Sequence, residues 1–173
     1  MRISPFTVLT SIAIIASAAA GGMMYVFSTF VMHGLDRTGP VEAITAMRGM
    51  NAEANTSASF LLAYLGAAVL AFVVGIVAVV QLRRPGRRWI LIGAVFGVLA
   101  AIITMAFNVP LNDHLDGVDP HGLSTGDAAR EWLAYHQPWT AWNHVRAVTA
   151  FVAAALMLFG LLVDRSGAPT ARG

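Results

Sequence analysis

Four stretches of this chain carry no Asp, Glu, Lys or Arg: Ile3 to Leu35, Ala54 to Leu82, Trp89 to Asn112 and Ala147 to Val163. Each reaches or approaches the roughly 20 helical residues that cross about 30 Å of hydrocarbon. The balance of 57% hydrophobic to 12% charged residues over a length of 173 excludes a soluble domain of this size. The expected fold is all-α, an integral membrane four-helix bundle. It is read as one transmembrane domain over residues 1–173, with spans at about 6–32, 57–82, 89–109 and 142–163. A pI of 9.7 does not imply a nucleic-acid partner here, because four spans leave no room for such a module. Without Cys there is no disulfide, thiolate metal site or cysteine nucleophile.

The first span imitates a signal peptide at Ala18-Ala19-Ala20-Gly21, but apolar sequence continues through Met23-Met24-Tyr25-Val26-Phe27 to Met32, far past an ordinary signal core. It is therefore read as a span. Every basic residue is Arg, and Arg83, Arg84, Arg87 and Arg88 crowd one short loop around Pro85-Gly86. Arg2, Arg165 and Arg172 join that side if the helices alternate, so both termini are expected in the cytoplasm of a multi-pass plasma-membrane protein. The opposite side holds most of the acids together with Arg37, Arg48, Arg130 and Arg146.

Helices in lipid associate by close backbone approach, and small residues four apart supply it: Ser17 with Gly21, Ala18 with Gly22, Gly93 with Gly97, and Ala150 with Ala154. The Gly93/Gly97 face is also a candidate surface for a homo-oligomer. Of the outer connections, Val41 to Ala52 reads as a short amphipathic helix with Ile44, Met47 and Asn51 on one face. Ser124-Thr125-Gly126-Asp127 reads as a capping box opening a second helix that Pro138 should end.

The halves of the chain resemble each other. Phe27 to Asp36 aligns without gaps on Phe107 to Asp116, and Met47, Met50 and Asn51 align on Trp139, Trp142 and Asn143. A duplicated two-helix unit with a twofold along the membrane normal is expected.

The unusual polar residues gather at the outer ends of the spans: Tyr25 and Ser28, Asn51 and Asn55, Asn108 and Asn112, then Trp139, Trp142, Asn143, His144 and Arg146. Such groups near hydrocarbon are costly unless partnered, which marks either a site or a hydrogen-bonded cap. Pro110 should kink or end the third span and free carbonyls near Ala106 toward a cavity. Arg146 follows Trp142 by four residues, so stacking between them is expected. All five histidines, His33, His114, His121, His136 and His144, also fall on this side, and His144 beside Asn143 is the best candidate metal ligand.

Tyr25-Val26-Phe27-Ser28 with Val31-Met32, then Met47 to Asn51, Asn108-Val109-Pro110-Leu111-Asn112 and Trp139-Thr140-Ala141-Trp142-Asn143-His144-Val145-Arg146 together resemble the anthrone oxygenase-like family of small four-helix membrane proteins. The resemblance covers nearly the whole chain. His33 stands where the family often has another side chain. The resemblance implies a membrane oxygenase using O2 on a flat, apolar, phenolic ring of anthrone or quinone type that partitions from the bilayer. In this reading His144 is the base. Arg146, Asn143 and Asn112 stabilise the oxyanion, and Tyr25, Trp139 and Trp142 form an aromatic slot, with Ser28, Met47, Asn51 and Asn108 completing the binding surface. An acidified anthrone loses a proton to give a carbanion that itself reduces oxygen, so this mechanism requires no cofactor, while haem and copper stay open. The alternative is a membrane protein that binds haem, quinone, lipid or metal without turnover.

Overall fold

The computed structural model describes residues 4–166, and within them the chain is a bundle of long helices with no strand. Ser4 opens the first helix by accepting from the Thr7 N–H at 3.1 Å. Helix α1 (Pro5–Val26) passes through a π-helical segment, π1 (Phe27–Val31), into α2 (Met32–Asp36) without a break. Gly39, at φ 103, turns the chain into α3 (Pro40–Thr56), which buries Ala43, Ile44, Met47 and Asn51. This is the expected amphipathic helix, extended at both ends. Helix α4 (Ala58–Val80) follows, capped by Ser57.

The third span, α5 (Arg87–Ile103), continues through π2 (Thr104–Asn108) into α6 (Val109–Asp116). Pro110 therefore neither ends nor interrupts it. A π turn bonds five residues apart, and this change of pitch places Pro110 in a first helical turn, where its missing N–H costs little. Ala106 itself is exposed and does not line the cavity, whereas its neighbours Thr104 and Met105 do. After a short turn, α7 runs from Thr125 to Ser166. Ser124 caps it by accepting from the Asp127 N–H at 3.2 Å. The expected stop at Pro138 does not occur. Tyr135 and Trp139 on either side are buried and hydrogen-bonded to the third span, and that packing carries the helix through the lost backbone bond.

Four helical stretches are long and apolar enough to cross a membrane, Pro5–Asp36, Ala58–Val80, Arg87–Asp116 and Thr125–Asp164, and the protein is a multi-pass membrane protein. Helix α7 packs chiefly on α5 and α1, with α4 against α5 and α1. Small residues fix these contacts. A Cβ on Gly93 would stand 2.8 Å from the Ala153 carbonyl oxygen, and one on Gly97 would stand 2.7 Å from the Ala71 Cβ. The Gly93/Gly97 face is thus consumed inside the bundle, against α7 and α4, and is not open to a second copy. Gly22 has open space around it, so the Ala18/Gly22 pair is no helix contact.

At the arginine-rich end, Arg87 is only 2% exposed. It pairs with Asp164 at 3.3 Å and lies over the Phe6 ring, so it belongs to the core of that end rather than to a free basic loop. Arg2 and Arg172 lie outside the described residues, as does the side chain of Arg165.

The two halves correspond locally. The aligned Phe27 and Phe107 both sit in five-residue π segments, and both spans end at the aligned Asp36 and Asp116. The aligned asparagines cross over: Asn51 donates to Asp116, and Asn143 donates to the Met24 carbonyl and to Ser28.

Candidate functional site

The loop-rich end of the bundle holds a cavity of about 200 Å³ between α3, α4, the third span and α7. Its walls are mainly Met, Leu and aromatic side chains, with Asn51, Asn55, Tyr64, Thr104, Asn112 and Arg146 as its polar groups. One face of α7 presents Trp139, Asn143 and Arg146 three to four residues apart, so the three stack along a single side of the helix. The guanidinium is 5% exposed. Its Nη2 donates to Asn143 Oδ1 at 2.5 Å and its Nη1 to Thr104 Oγ1 at 3.3 Å, while Nε has no partner. Its carbon lies 5.4 Å from the centre of the Trp139 ring, not over Trp142 as the spacing had suggested. Trp142 instead stacks flat on Phe107 at 3.5 Å. Among the described residues no carboxylate pairs with Arg146.

Asn143 is held from beneath. Its Nδ2 donates to the Met24 carbonyl at 2.6 Å and to Ser28 Oγ at 2.5 Å. Both acceptors lie at the junction of α1 with π1, where the change of pitch loosens helical pairing and leaves acceptor capacity for a side chain. The amide oxygen of Asn143 is thereby turned to the guanidinium. Asn112 is oriented in the same manner, its Oδ1 accepting from Tyr135 OH at 3.0 Å and Trp139 Nε1 at 2.8 Å. With the oxygen doubly occupied, its Nδ2 is the atom left to donate into the cavity.

Tyr64 of α4 reaches across to Thr104 Oγ1. Thr104 spends its own proton on the Ala100 carbonyl at 2.9 Å, so it accepts from both Tyr64 and Arg146. The Tyr64 phenol is therefore the donor of this pair, and its oxygen faces the Arg146 guanidinium.

Of the residues singled out in the sequence, Met47, Asn51, Asn55, Asn112, Trp139 and Arg146 line the cavity. Asn143, Ser28 and Asn108 are buried behind that lining; Asn108 donates to the Trp139 carbonyl at 3.1 Å. His144 and Tyr25 are not brought there. His144 is exposed on the outward face of α7 and Tyr25 is 54% exposed, so the base and one wall of the slot were assigned to the wrong faces of their helices. Trp142 also stays outside the lining, held by Phe107. The sequence reading missed Tyr64, Thr104, Phe60, Met24 and Met50. A signal existed for the first two: a phenol and a hydroxyl within apolar spans must find partners, and they find each other.

Among the described residues no three His, Asp or Glu side chains lie close enough together to hold a metal ion. His33 bonds its own helix at the Thr29 carbonyl and His114 pairs with Glu131, so neither ring is free for a shared metal. This donor set does not fit copper.

A family model described as anthrone oxygenase matches residues 57–156. That segment includes Tyr64, Thr104, Asn112, Trp139 and Arg146 and leaves out Met24, Met47 and Asn51. No curated protein and no solved structure matches the chain.

Proposed function

Because the chain belongs to the anthrone oxygenase family, we propose that the cavity binds a flat, apolar phenolic ring of anthrone or quinone type as its anion and lets O2 oxidise it. The observation that carries this reading is the uncompensated Arg146. A cation desolvated among helices costs several kcal/mol unless an anion meets it, and no carboxylate of the described residues does so. A delocalised anthrone anion would supply the charge, and Trp139, Phe27 and Phe60 would face its rings. A volume of about 200 Å³ is below the usual range for ligand sites and suits a small flat ring system better than a haem macrocycle.

The chemistry balances without a cofactor. Loss of a proton from the ring CH2 gives the carbanion. Electron transfer to O2 and recombination give a carbon-bound hydroperoxide. Loss of water from it leaves the new carbonyl, so one oxygen atom enters the quinone and the other leaves as water. Arg146 and the Asn112 amide would hold the phenolate oxygen, lowering the energy of the anion from which the electron departs. Among the cavity-lining side chains the ionisable groups are Tyr64 and Arg146, and both hold their protons, so neither is the base: the ring proton passes to water and a proton returns from water to the peroxide oxygen.

The absence of His, Asp and Glu from the lining favours a second reading, binding of a quinone or lipid without turnover. The two separate in one experiment: protein in lipid bilayers is given anthrone while oxygen and the quinone chromophore are followed. One O2 consumed per quinone formed, above the protein-free rate, supports the oxygenase. Saturable binding without oxygen uptake supports the binder. We further read the whole chain, 1–173, as one transmembrane unit of the plasma membrane with its termini in the cytoplasm, which puts the cavity at the outer leaflet.

A further inference from the structure

Two of the residues that line the cavity are also open to the outside. Leu65 of α4 is 41% exposed and Met105 of π2 is 57% exposed, and each directly follows one partner of the Tyr64–Thr104 hydrogen bond. Leu61, one turn away on α4, lines the cavity and is half-buried. Between α4 and the third span the cavity lining therefore reaches the outer surface at this level, with the Tyr64–Thr104 bond as the crossbar. Leu65 lies about 10 Å along the axis from the start of α4, within a charge-free stretch of the chain, so an opening here faces hydrocarbon. The cavity has a second mouth at the corner of α3 and α4, where Asn51, Ala54 and Asn55 line it and Asn55 is exposed. The molecule thus offers two routes of opposite character to one guanidinium.

We propose that the cavity is loaded sideways from the bilayer, through the gap between Leu65 and Met105, by a flat apolar ring compound dissolved in the membrane. This rests on the ligand class proposed above. A polycyclic phenol partitions into lipid, and reaching the polar mouth would require returning its apolar surface to water. The lateral gap spares that step and presents the ring edge first to the hydroxyl pair and then to Arg146, which shares Thr104. The Asn55 mouth is left for water, including the water released on oxidation.

The chain has no Cys, so Met47→Cys places a single thiol in the cavity, with Met50→Cys as a second carrier should the first not fold. Protein in phosphatidylcholine bilayers is reacted with a long-chain N-alkyl maleimide confined to the membrane or with a charged, membrane-impermeant maleimide. The alkyl reagent should label the thiol faster by roughly tenfold. Leu65→Trp with Met105→Trp should slow it by about the same factor, and Asn55→Trp should leave it within about twofold. Faster labelling by the charged reagent, slowed by Asn55→Trp, would overturn lateral loading, as would alkyl labelling indifferent to the Leu65/Met105 pair. The thiol readout does not depend on the ligand. Failure of 1,8-dihydroxyanthraquinone to bind the wild-type protein would overturn the proposed ligand class while a positive labelling pattern still upheld the portal.

Discussion

Arg146 donates from Nη2 to the side-chain oxygen of Asn143, one turn back along α7, at 2.5 Å. Asn143 is itself fixed by two bonds to the first span, so the guanidinium inherits its orientation from that span through Asn143. That relay aims a cation at the cavity while leaving its charge unneutralised. A fold that needed only a cap there would be served by an apolar side chain of similar size.

Arg146→Met should therefore keep or raise the melting temperature in detergent, because it removes a buried charge without a carboxylate partner. Binding of an anionic dihydroxyanthraquinone should fall with it. Arg146→Lys keeps the charge but loses the planar fork held by Thr104 and Asn143, and a loss of about 2–4 kcal/mol in binding or turnover is expected. Unchanged affinity in a folded Arg146→Lys protein would assign the residue to structure alone.

Asn112 separates folding from binding. Asn112→Leu strands the Tyr135 hydroxyl and the Trp139 indole N–H, at a cost of about 1–3 kcal/mol for each buried donor. Thermal unfolding followed by tryptophan fluorescence should show that loss. Asn112→Asp keeps an acceptor for both donors, so stability should hold, yet it replaces an N–H donor by negative charge at the cavity wall. Anion affinity should fall while the melting temperature stays near wild type. The opposite ranking, a destabilised Asp variant and a silent Leu variant, would mean that Asn112 is oriented the other way round.

Spans and connections were legible in the sequence because lack of charge over a helical length has one inexpensive solution in lipid. The amphipathic face of α3 was legible for the same kind of reason, its Ile44, Met47 and Asn51 recurring at helical spacing. What the sequence hid was rotation. His144 lies beside Asn143 in the chain, yet adjacent residues on a helix point about 100° apart, and the step from Asn143 to His144 carries the imidazole to the outside. Neither proline ends its helix, because an ending follows only for a helix in isolation. Pro110 is absorbed by a π segment and Pro138 by the bonds that hold Tyr135 and Trp139. Tyr64 was hidden by distance, since its partner Thr104 is forty residues away on another span.

The glycines give a paired test of the packing. Gly93→Ala would drive a methyl to 2.8 Å from the Ala153 carbonyl oxygen and 2.9 Å from the Met157 nitrogen, both backbone atoms that do not give way. An overpacking cost of about 1–3 kcal/mol is expected, outweighing the gain of up to about 1 kcal/mol in helix propensity. Gly22→Ala meets nothing within 4 Å and should be neutral or slightly stabilising. Unfolding midpoints of the two variants in the same detergent compare them directly, and equal effects would contradict the close approach of α5 and α7.

Orientation in the membrane depends on which arginines are free to count. Arg87 is sequestered with Asp164 and Phe6, so it serves packing, whereas Arg83 and Arg84 in the turn before α5 and Arg88 in its first turn are exposed. Removing Arg87 leaves the partly exposed Asp164 without its partner, and Arg87→Ala should cost about 1–3 kcal/mol while leaving orientation intact. Replacing Arg83, Arg84 and Arg88 together by Ser should do the reverse: the fold survives, but part of the population inserts inverted, because positive charge near a span end is what retains that side in the cytoplasm. A periplasm-dependent reporter fused to the C-terminus reads this out. It should be silent in the wild type and in Arg87→Ala and gain signal in the triple variant. Strong signal from the wild type would turn the protein over and place the Arg146 cavity at the cytoplasmic leaflet.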